Sequence, residues 1–349
     1  MTVIFHICKT YIPDSYGGVE TYIHNIFNNS TKFKHIILTA GSKKTHKKEN
    51  IYYFKTSKKI RSDNISIDLI KFLYKNRKTI SNIHFHSPWP SVEFFLIFFK
   101  FKIVVTYHSD IVHQKILYFF FKPFQRAFLK KSKCIIVTSK NYLESSTVLQ
   151  KIKEKIKIVP IGLKYEKPYK VKNDNESELF KKYIIYIGNN RKYKGLELLK
   201  KLIEEKKYNF VLVGNNLEFL KGKNVKIYTN VSEHYKMYLI SKSYFLILTS
   251  NLRSEAYGIV LLEAMMQGKP LLTSNINTGV SFINSNKING LQFENNNYKD
   301  LLLKTETLYN FKIDKYKEYT KNNKKKYNKY FKLETMIESL DKIYLEFFK

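Results

Sequence analysis

Two carboxylates eight positions apart, Glu255 and Glu263, flank Gly258 in the stretch Arg253-Ser-Glu-Ala-Tyr-Gly-Ile-Val-Leu-Leu-Glu263-Ala-Met-Met-Gln-Gly-Lys-Pro270. The apolar run from Tyr244 to Leu248 ahead of it reads as a strand and Ile259 to Met266 as a helix, with Gly268 suited to a C-terminal cap and Pro270 unable to continue it. A helix start presents unpaired backbone N–H groups and a positive dipole end, both of which favour an anion. Carboxylates beside such a site repel the anion itself. They suit the hydroxyls of a sugar or ribose, from which they accept hydrogen bonds, so the stretch outlines a nucleotide-sugar site.

A second loop complements it. Gly188-Asn-Asn-Arg-Lys-Tyr-Lys-Gly195 follows the apolar run Tyr183 to Ile187 and leads into a helix from Leu196. Arg191 and Lys194 at this glycine-flanked helix start match a diphosphate, the first as a planar fork and the second as a point charge. Near the N-terminus, Gly17 and Gly18 follow the strand-like Val3 to Cys8 and precede a helical run from Thr21 to Phe27. Without side chains they let backbone approach a ligand closely. Two further strands end in histidine-bearing turns, His84-Phe-His-Ser-Pro-Trp-Pro90 and Tyr107-His-Ser-Asp-Ile-Val-His113. Ligands of open α/β sheets gather at strand ends, which makes His108, directly after a near-continuous apolar run, the leading histidine, with His86 and His113 behind it. The sequence holds no closely spaced His, Cys or carboxylate set of the usual zinc kind, and no metal is expected.

The elements that must position these residues alternate. Short apolar runs at His35 to Thr39, Ile51 to Phe54, Ile83 to His86, Ile103 to Thr106, Cys134 to Thr138 and Ile156 to Ile161 are separated by helical patterns. A second series starts at Tyr183 and continues through Phe210 to Val213, Val225 to Tyr228, Tyr244 to Leu248 and Leu271-Leu272. The pattern predicts two doubly wound Rossmann-like α/β domains. Their expected bounds are 1–163 and 181–330, joined by a polar, lysine-rich linker over 164–180. After the basic stretch Lys312 to Lys332, the helical spacing of Met336, Leu340, Ile343 and Tyr344 predicts a closing helix within 331–349 that packs back toward the N-terminal domain.

At 349 residues the chain is long enough for two cores, and 44% hydrophobic content with 27 Tyr and 26 Phe is that of a globular protein. Against 29 Asp and Glu stand 62 Lys and Arg, a net charge of +33 that calls for an anionic partner. Nucleic acid, an anionic membrane face and a phosphate-bearing substrate would all answer. So would a compositional bias toward Lys, Asn, Ile and Tyr of the kind AT-rich genomes impose. Ile116 to Lys133 mixes aromatic residues with Lys122, Arg126, Lys130, Lys131 and Lys133, which fits either a membrane-surface helix or a domain helix with solvated lysines outside. Cys8 and Cys134 sit in strand-like runs, as buried free thiols of a reducing compartment do. No signal-peptide pattern opens the chain and no apolar run spans a bilayer, so a cytoplasmic, peripherally bound protein is expected.

The motifs, in order, are Gly17-Gly-Val-Glu20, Thr106-Tyr-His-Ser-Asp110, Ile158-Val-Pro-Ile-Gly162, Arg191 with Tyr193-Lys-Gly195, Val231-Ser-Glu233, and Glu255 to Glu263 followed by Gly268-Lys-Pro270. Together they resemble family 4 retaining glycosyltransferases of the GT-B fold, whose Glu-x7-Glu motif the last of them matches. Within that family His108 to Lys115, Thr138 to Tyr142 with Ser145-Ser146, and Thr278 to Ile283 look most like bacterial O-antigen and exopolysaccharide sugar transferases, several of them mannosyltransferases.

The resemblance implies that the two domains face across a cleft, that Glu263 holds the nucleotide ribose, and that Glu255 with the amides around Ala256, Tyr257, Gly258 and Ile259 holds the donor sugar and its phosphates. It implies Lys194 and Arg191 on the diphosphate leaving group, His108 on the donor sugar, and Gly17 and Gly18 near the phosphates. Asn189-Asn190 stand before Arg191 where many members carry a basic residue directly after the glycine, which makes Lys194 the firmer of the two cations. With these cations compensating the departing diphosphate, and no Asp-x-Asp in the chain, neither a metal nor another cofactor is implied. The implied partners are a nucleotide-sugar donor, with GDP-mannose favoured, a lipid-linked saccharide acceptor and the anionic inner-membrane surface, without nucleic acid. A nucleotide-sugar epimerase or hydrolase of the same fold is the second reading, and a basic nucleic-acid-binding protein the third.

Overall fold

Apolar runs without alternation bury both faces of a strand, and Cys134–Val137, Phe210–Val213 and Phe245–Leu248 are buried at every residue. A computed structural model of the protein describes residues 1–112, 114–165 and 180–348. The chain divides into one unit made of Met1–Ile161 with the segment from Leu333 onward, and a second made of Gly162–Lys332. The linker expected over 164–180 lies outside the described residues from 166 to 179, as does His113.

The first unit is built on an eight-stranded sheet. Across it run Ile156–Ile158, Cys134–Val137, Lys102–Tyr107, Asn82–Ser87, Val3–Cys8, Lys34–Ser42, Ile51–Lys55 and His46–Lys48. Every pairing is parallel except the last, which is antiparallel. Each apolar run of the N-terminal half forms one of these strands. Two elements go beyond the expected pattern: the edge strand His46–Lys48, exposed throughout, and the antiparallel hairpin of Lys58–Ile60 with Asp63–Ile65. The order reverses between Val3–Cys8 and Asn82–Ser87, so the loops that leave these two strands diverge and open a crevice. The closing helix Leu333–Phe347 belongs to this unit and buries Met336, Leu340, Ile343 and Tyr344.

The second unit carries six parallel strands in the order Val225–Tyr228, Phe210–Val213, Ile184–Ile187, Phe245–Leu248, Leu271–Asn275, Gly290–Glu294. Numbered along the unit this is 3-2-1-4-5-6, the dinucleotide-fold order, and its switch point falls between Ile184–Ile187 and Phe245–Leu248. The strand Gly290–Glu294 was not anticipated, since its Gln and Glu interrupt the apolar pattern.

Two local expectations are corrected. Lys312 to Lys332 is not a mere polar stretch; Ile313–Tyr330 is a helix that turns Tyr319, Asn323 and Tyr327 inward at four-residue spacing. His84 and His86 lie in the strand that the run Ile83 to His86 predicts, and not in the turn beyond it. Both belong to the strand Asn82–Ser87 and are buried within it.

Candidate functional site

In the second unit the two loops that leave the switch point hold the predicted residues Arg191, Lys194 and Glu255. Gly195 caps the helix Leu196–Glu204 in the left-handed region, at φ 62°, and a Cβ there would lie 2.0 Å from the Thr249 carbonyl oxygen. That close approach stitches the loops together. Thr249 Oγ1 donates to the Lys194 carbonyl at 2.9 Å, and the Asn251 amide donates to the Tyr193 carbonyl at 2.9 Å.

The consequence is a buried ion pair. Lys194 Nζ reaches Glu255 Oε2 at 2.5 Å, and Ser250 Oγ donates to the same oxygen at 2.9 Å. Burial works against the lysine charge, but Glu255 and Tyr193 outweigh it and hold the ammonium above the ordinary lysine pKa. Thr278 Oγ1 donates to the Glu255 carbonyl and the Gly279 amide to the Ala256 carbonyl, both at 2.8 Å, so the Glu255-Ala256 backbone is fixed as well. Arg191 stands exposed at the head of the turn Lys192–Lys194 and adds a second positive charge beside Lys194.

Gly258 starts the helix Ile259–Met266 at φ 77°, with no side chain capping its first amides. Ala256, Tyr257, Gly258 and Ile259 therefore lie at an open helix start, with Tyr257 buried behind it. One side of that helix carries Glu263, and here sequence reading missed a partner. Lys236, on the helix Glu233–Lys242, donates to Glu263 Oε1 at 3.0 Å and to Glu233 Oε2 at 2.5 Å. Despite burial, these two carboxylates push its pKa up to about 12. The motif Val231-Ser-Glu233 was the available signal, because Ser232 caps that helix by accepting from the Tyr235 amide.

The first unit holds the other predicted residues. Gly17 is extended and exposed at the start of the helix Gly18–Asn29, and a Cβ on it would come within 2.9 Å of Glu20 Oε2, which makes the position tight rather than strained. Gly18 is exposed beside it. His108 follows the strand Lys102–Tyr107, its amide donating to the Ser87 carbonyl at 2.9 Å. Tyr22, from the helix that Gly18 opens, sets its ring edge-on to His108 at 5.4 Å between centroids. Asp110 fixes the loop that follows. It accepts from Tyr107 at 2.9 Å and from Ser146 at 2.8 Å, and its amide donates to the Tyr142 hydroxyl at 2.5 Å.

His108 is not alone. Its Nε2 lies 3.0 Å from His86 Nδ1, His86 Nε2 lies 3.1 Å from His6 Nδ1, and His6 Nε2 lies 2.7 Å from His35 Nδ1. The fold thus assembles a close histidine set that linear spacing did not reveal, with ring nitrogens of His6, His84 and His86 within 4.8 Å of one another. Three imidazoles so close have the donor chemistry of a metal site. Their hydrogen bonds argue otherwise. His84 uses both nitrogens on Tyr344 and Thr106, at 2.7 and 2.6 Å, and His6 and His86 use both of theirs on other histidines. A cation there would have to displace bonds already made.

The model of "Glycosyltransferase Family 4" matches residues 16–167 and that of "Glycosyl transferases group 1" matches residues 170–326. The chain is 28% identical to O-antigen chain mannosyltransferase C of Escherichia coli, over 98% of this chain and 97% of that protein. It is 30% identical to the D-rhamnosyltransferase WbpZ of Pseudomonas aeruginosa, over 82% of this chain and 81% of that one. Among solved structures, that of Anabaena HepE in complex with UDP-glucose aligns with a TM-score of 0.76 at 12% identity, over 99% of this chain and 100% of the other.

Proposed function

The chain belongs to the family 4 glycosyltransferases of the GT-B fold, and from that premise we propose that it transfers a hexose from a nucleotide-sugar to a lipid-linked saccharide acceptor. The favoured donor is GDP-mannose, the favoured setting O-antigen or related cell-surface polysaccharide assembly, and the stereochemical course retention. Support for mannose comes from the E. coli relative's name alone, while the P. aeruginosa relative is named for rhamnose.

The observation that carries the reading is the Lys194–Glu255 pair at the switch point, beside the open helix start at Gly258. Charge on the departing diphosphate is the main barrier term in such a transfer. Lys194, with Arg191 near it, supplies the compensating charge, and the start of the helix Ile259–Met266, which no side chain caps, adds a fixed dipole. Glu255 orients Lys194 and accepts from sugar hydroxyls, whereas Glu263 takes the ribose. His108 takes a hydroxyl of the sugar. With two cations so placed the reaction needs no metal.

The peripheral membrane reading rests on the helix Lys115–Lys131. It buries Phe128 and Leu129 but leaves Ile116, Phe119 and Phe120 about 79, 73 and 69% exposed, next to a shallow apolar groove lined by Pro90, Phe94, Leu117 and Phe124. Apolar side chains rimmed by Lys122, Arg126 and Lys130 suit the surface of an anionic bilayer on the cytoplasmic side. Among the described residues no helix is long and apolar enough to cross a membrane.

Thermal-shift measurements against GDP- and UDP-sugars test the donor. A ligand that binds only folded protein raises the midpoint, so GDP-mannose should give the largest shift. A larger shift with a UDP-sugar would overturn that choice.

A further inference from the structure

Strand parity explains how four histidines from distant parts of the chain meet. His6 pairs in register with His84, Ile4 with His35, and His86 with Thr106, on neighbouring parallel strands. Residues two apart share a face. His35, His6, His84, His86 and Thr106 therefore line one face of four adjacent strands, and His108 continues that face two residues beyond Thr106. The result is a continuous line, His35–His6–His86–His108, with contacts of 2.7, 3.1 and 3.0 Å. All four are buried, His6 completely, and His108 ends the line at the carboxyl end of its strand, 9% exposed.

The protonation of this line is constrained. Burial lowers the pKa of all four histidines, His35 to about 4 and His108 to about 3, so each is neutral near pH 7 and has one N–H. A ring with one proton and two ring-nitrogen partners must donate to one and accept from the other. His6 and His86 are such rings, and two arrangements alone satisfy both. Either every ring carries its proton on Nδ1 and donates toward His108, or every ring carries it on Nε2 and donates toward His35.

The ends of the line differ. Among the described residues His35 Nε2, itself buried, has no hydrogen-bond partner. The second arrangement would strand an N–H there, the rarer and costlier kind of orphan in protein interiors; the first leaves only an unused lone pair. We infer that His35, His6 and His86 form a tautomer-setting line that fixes the proton of His108 on Nδ1, making His108 a hydrogen-bond donor at the nitrogen that does not face His86, and not a base. His6, His35 and His86 are then positioning residues for whatever His108 bonds. That functional consequence rests on the reading of His108 as a sugar-binding residue, whereas the tautomer itself does not.

The test is nitrogen-15 NMR of the ligand-free full-length protein with labelled histidine. The expected spectrum shows pyrrole-type Nδ1 and pyridine-type Nε2 signals for His6, His35, His86 and His108 at pH 7. The reverse pattern, an imidazolium, or averaging between tautomers at His108 would overturn the inference without reference to activity. For the consequence, His86→Phe removes the donor to His108 Nε2 while His108 itself remains. It should return His108 to mixed tautomers and lower kcat by about ten- to a hundredfold with donor KM within about twofold. Wild-type kcat in a variant whose His108 spectrum has changed would overturn the positioning role. An inactive wild-type protein with the expected spectrum would instead overturn the proposed transfer and leave the tautomer line standing.

Discussion

Lys194 and Glu255 stand 61 positions apart in sequence, yet their side chains meet at 2.5 Å with only about a tenth of each exposed. Neither could be left alone in that setting, since an unpaired buried charge costs several kcal/mol. In the proposed transfer the pair would hold a cation ready for the diphosphate, with Glu255 as its counter-charge until then.

This arrangement ranks the two cations of the loop. Lys194→Ala should lower kcat by about a hundredfold or more, and Arg191→Ala, at an exposed position, by clearly less. Initial rates of sugar transfer for the two variants decide it; equal losses, or a larger one at Arg191, would reverse the assignment.

The partnership of Lys236 and Glu263 makes a different prediction. Both side chains are nearly buried, so Lys236→Met should leave a carboxylate without its cation and destabilise the protein by about 3 kcal/mol in urea. Glu263→Ala should abolish transfer and the thermal shift caused by nucleotide. A variant at Glu263 that retains full turnover would remove it from the site.

Stability should also depend on Glu93. Burial pushes this carboxyl up to about 7, although the Trp89 amide and the Ser87 hydroxyl donate to it. A folded-state pKa above the unfolded one means that the group's contribution is full below about pH 4.5 and is lost as pH rises through about 7. Glu93→Gln keeps an acceptor for both donors without an ionisation. The stability difference between variant and wild type should grow in favour of the variant by on the order of 3 kcal/mol from pH 4.5 to 8. Denaturant titrations across that range test it, and a pH-independent difference would exclude Glu93 as the titrating group.

Membrane association predicts a role for exposed aromatics. Phe119→Ser with Phe120→Ser should weaken co-sedimentation with anionic vesicles by roughly tenfold and leave transfer to a water-soluble acceptor unchanged. Undiminished vesicle binding would leave the helix Lys115–Lys131 without that function.

Much of the fold was legible because buried parallel strands are short apolar runs, and those from Val3 to Cys8 through Leu271-Leu272 could be read one at a time. Lys194 and Glu255 were legible for a related reason: they sit close to Gly195 and Gly258 at strand-to-helix turns, and Glu263 lies on the helix that the second of these turns opens. What escaped needs knowledge of neighbours. His6 and His35 look like incidental polar residues until the strand order sets His6 beside His86 and His35 beside His6. Lys236 lies in a helix whose pattern gives no hint that Glu263 faces it. The helix Ile313–Tyr330 hides its inward face behind lysines, because Tyr319, Asn323 and Tyr327 are themselves polar. The edge strand His46–Lys48 has no apolar residue to announce it.

The central claim is transfer with retention from a nucleotide-sugar, driven by charge on this protein's own side chains. Its most direct test incubates purified protein with labelled GDP-mannose and a lipid-linked saccharide in EDTA, followed by NMR of the new linkage. The account predicts label in the lipid product, joined with the anomeric configuration of the donor, and loss of that product in Lys194→Ala. Label released as free mannose, an inverted linkage, or a product that forms only after a divalent metal is restored would contradict it.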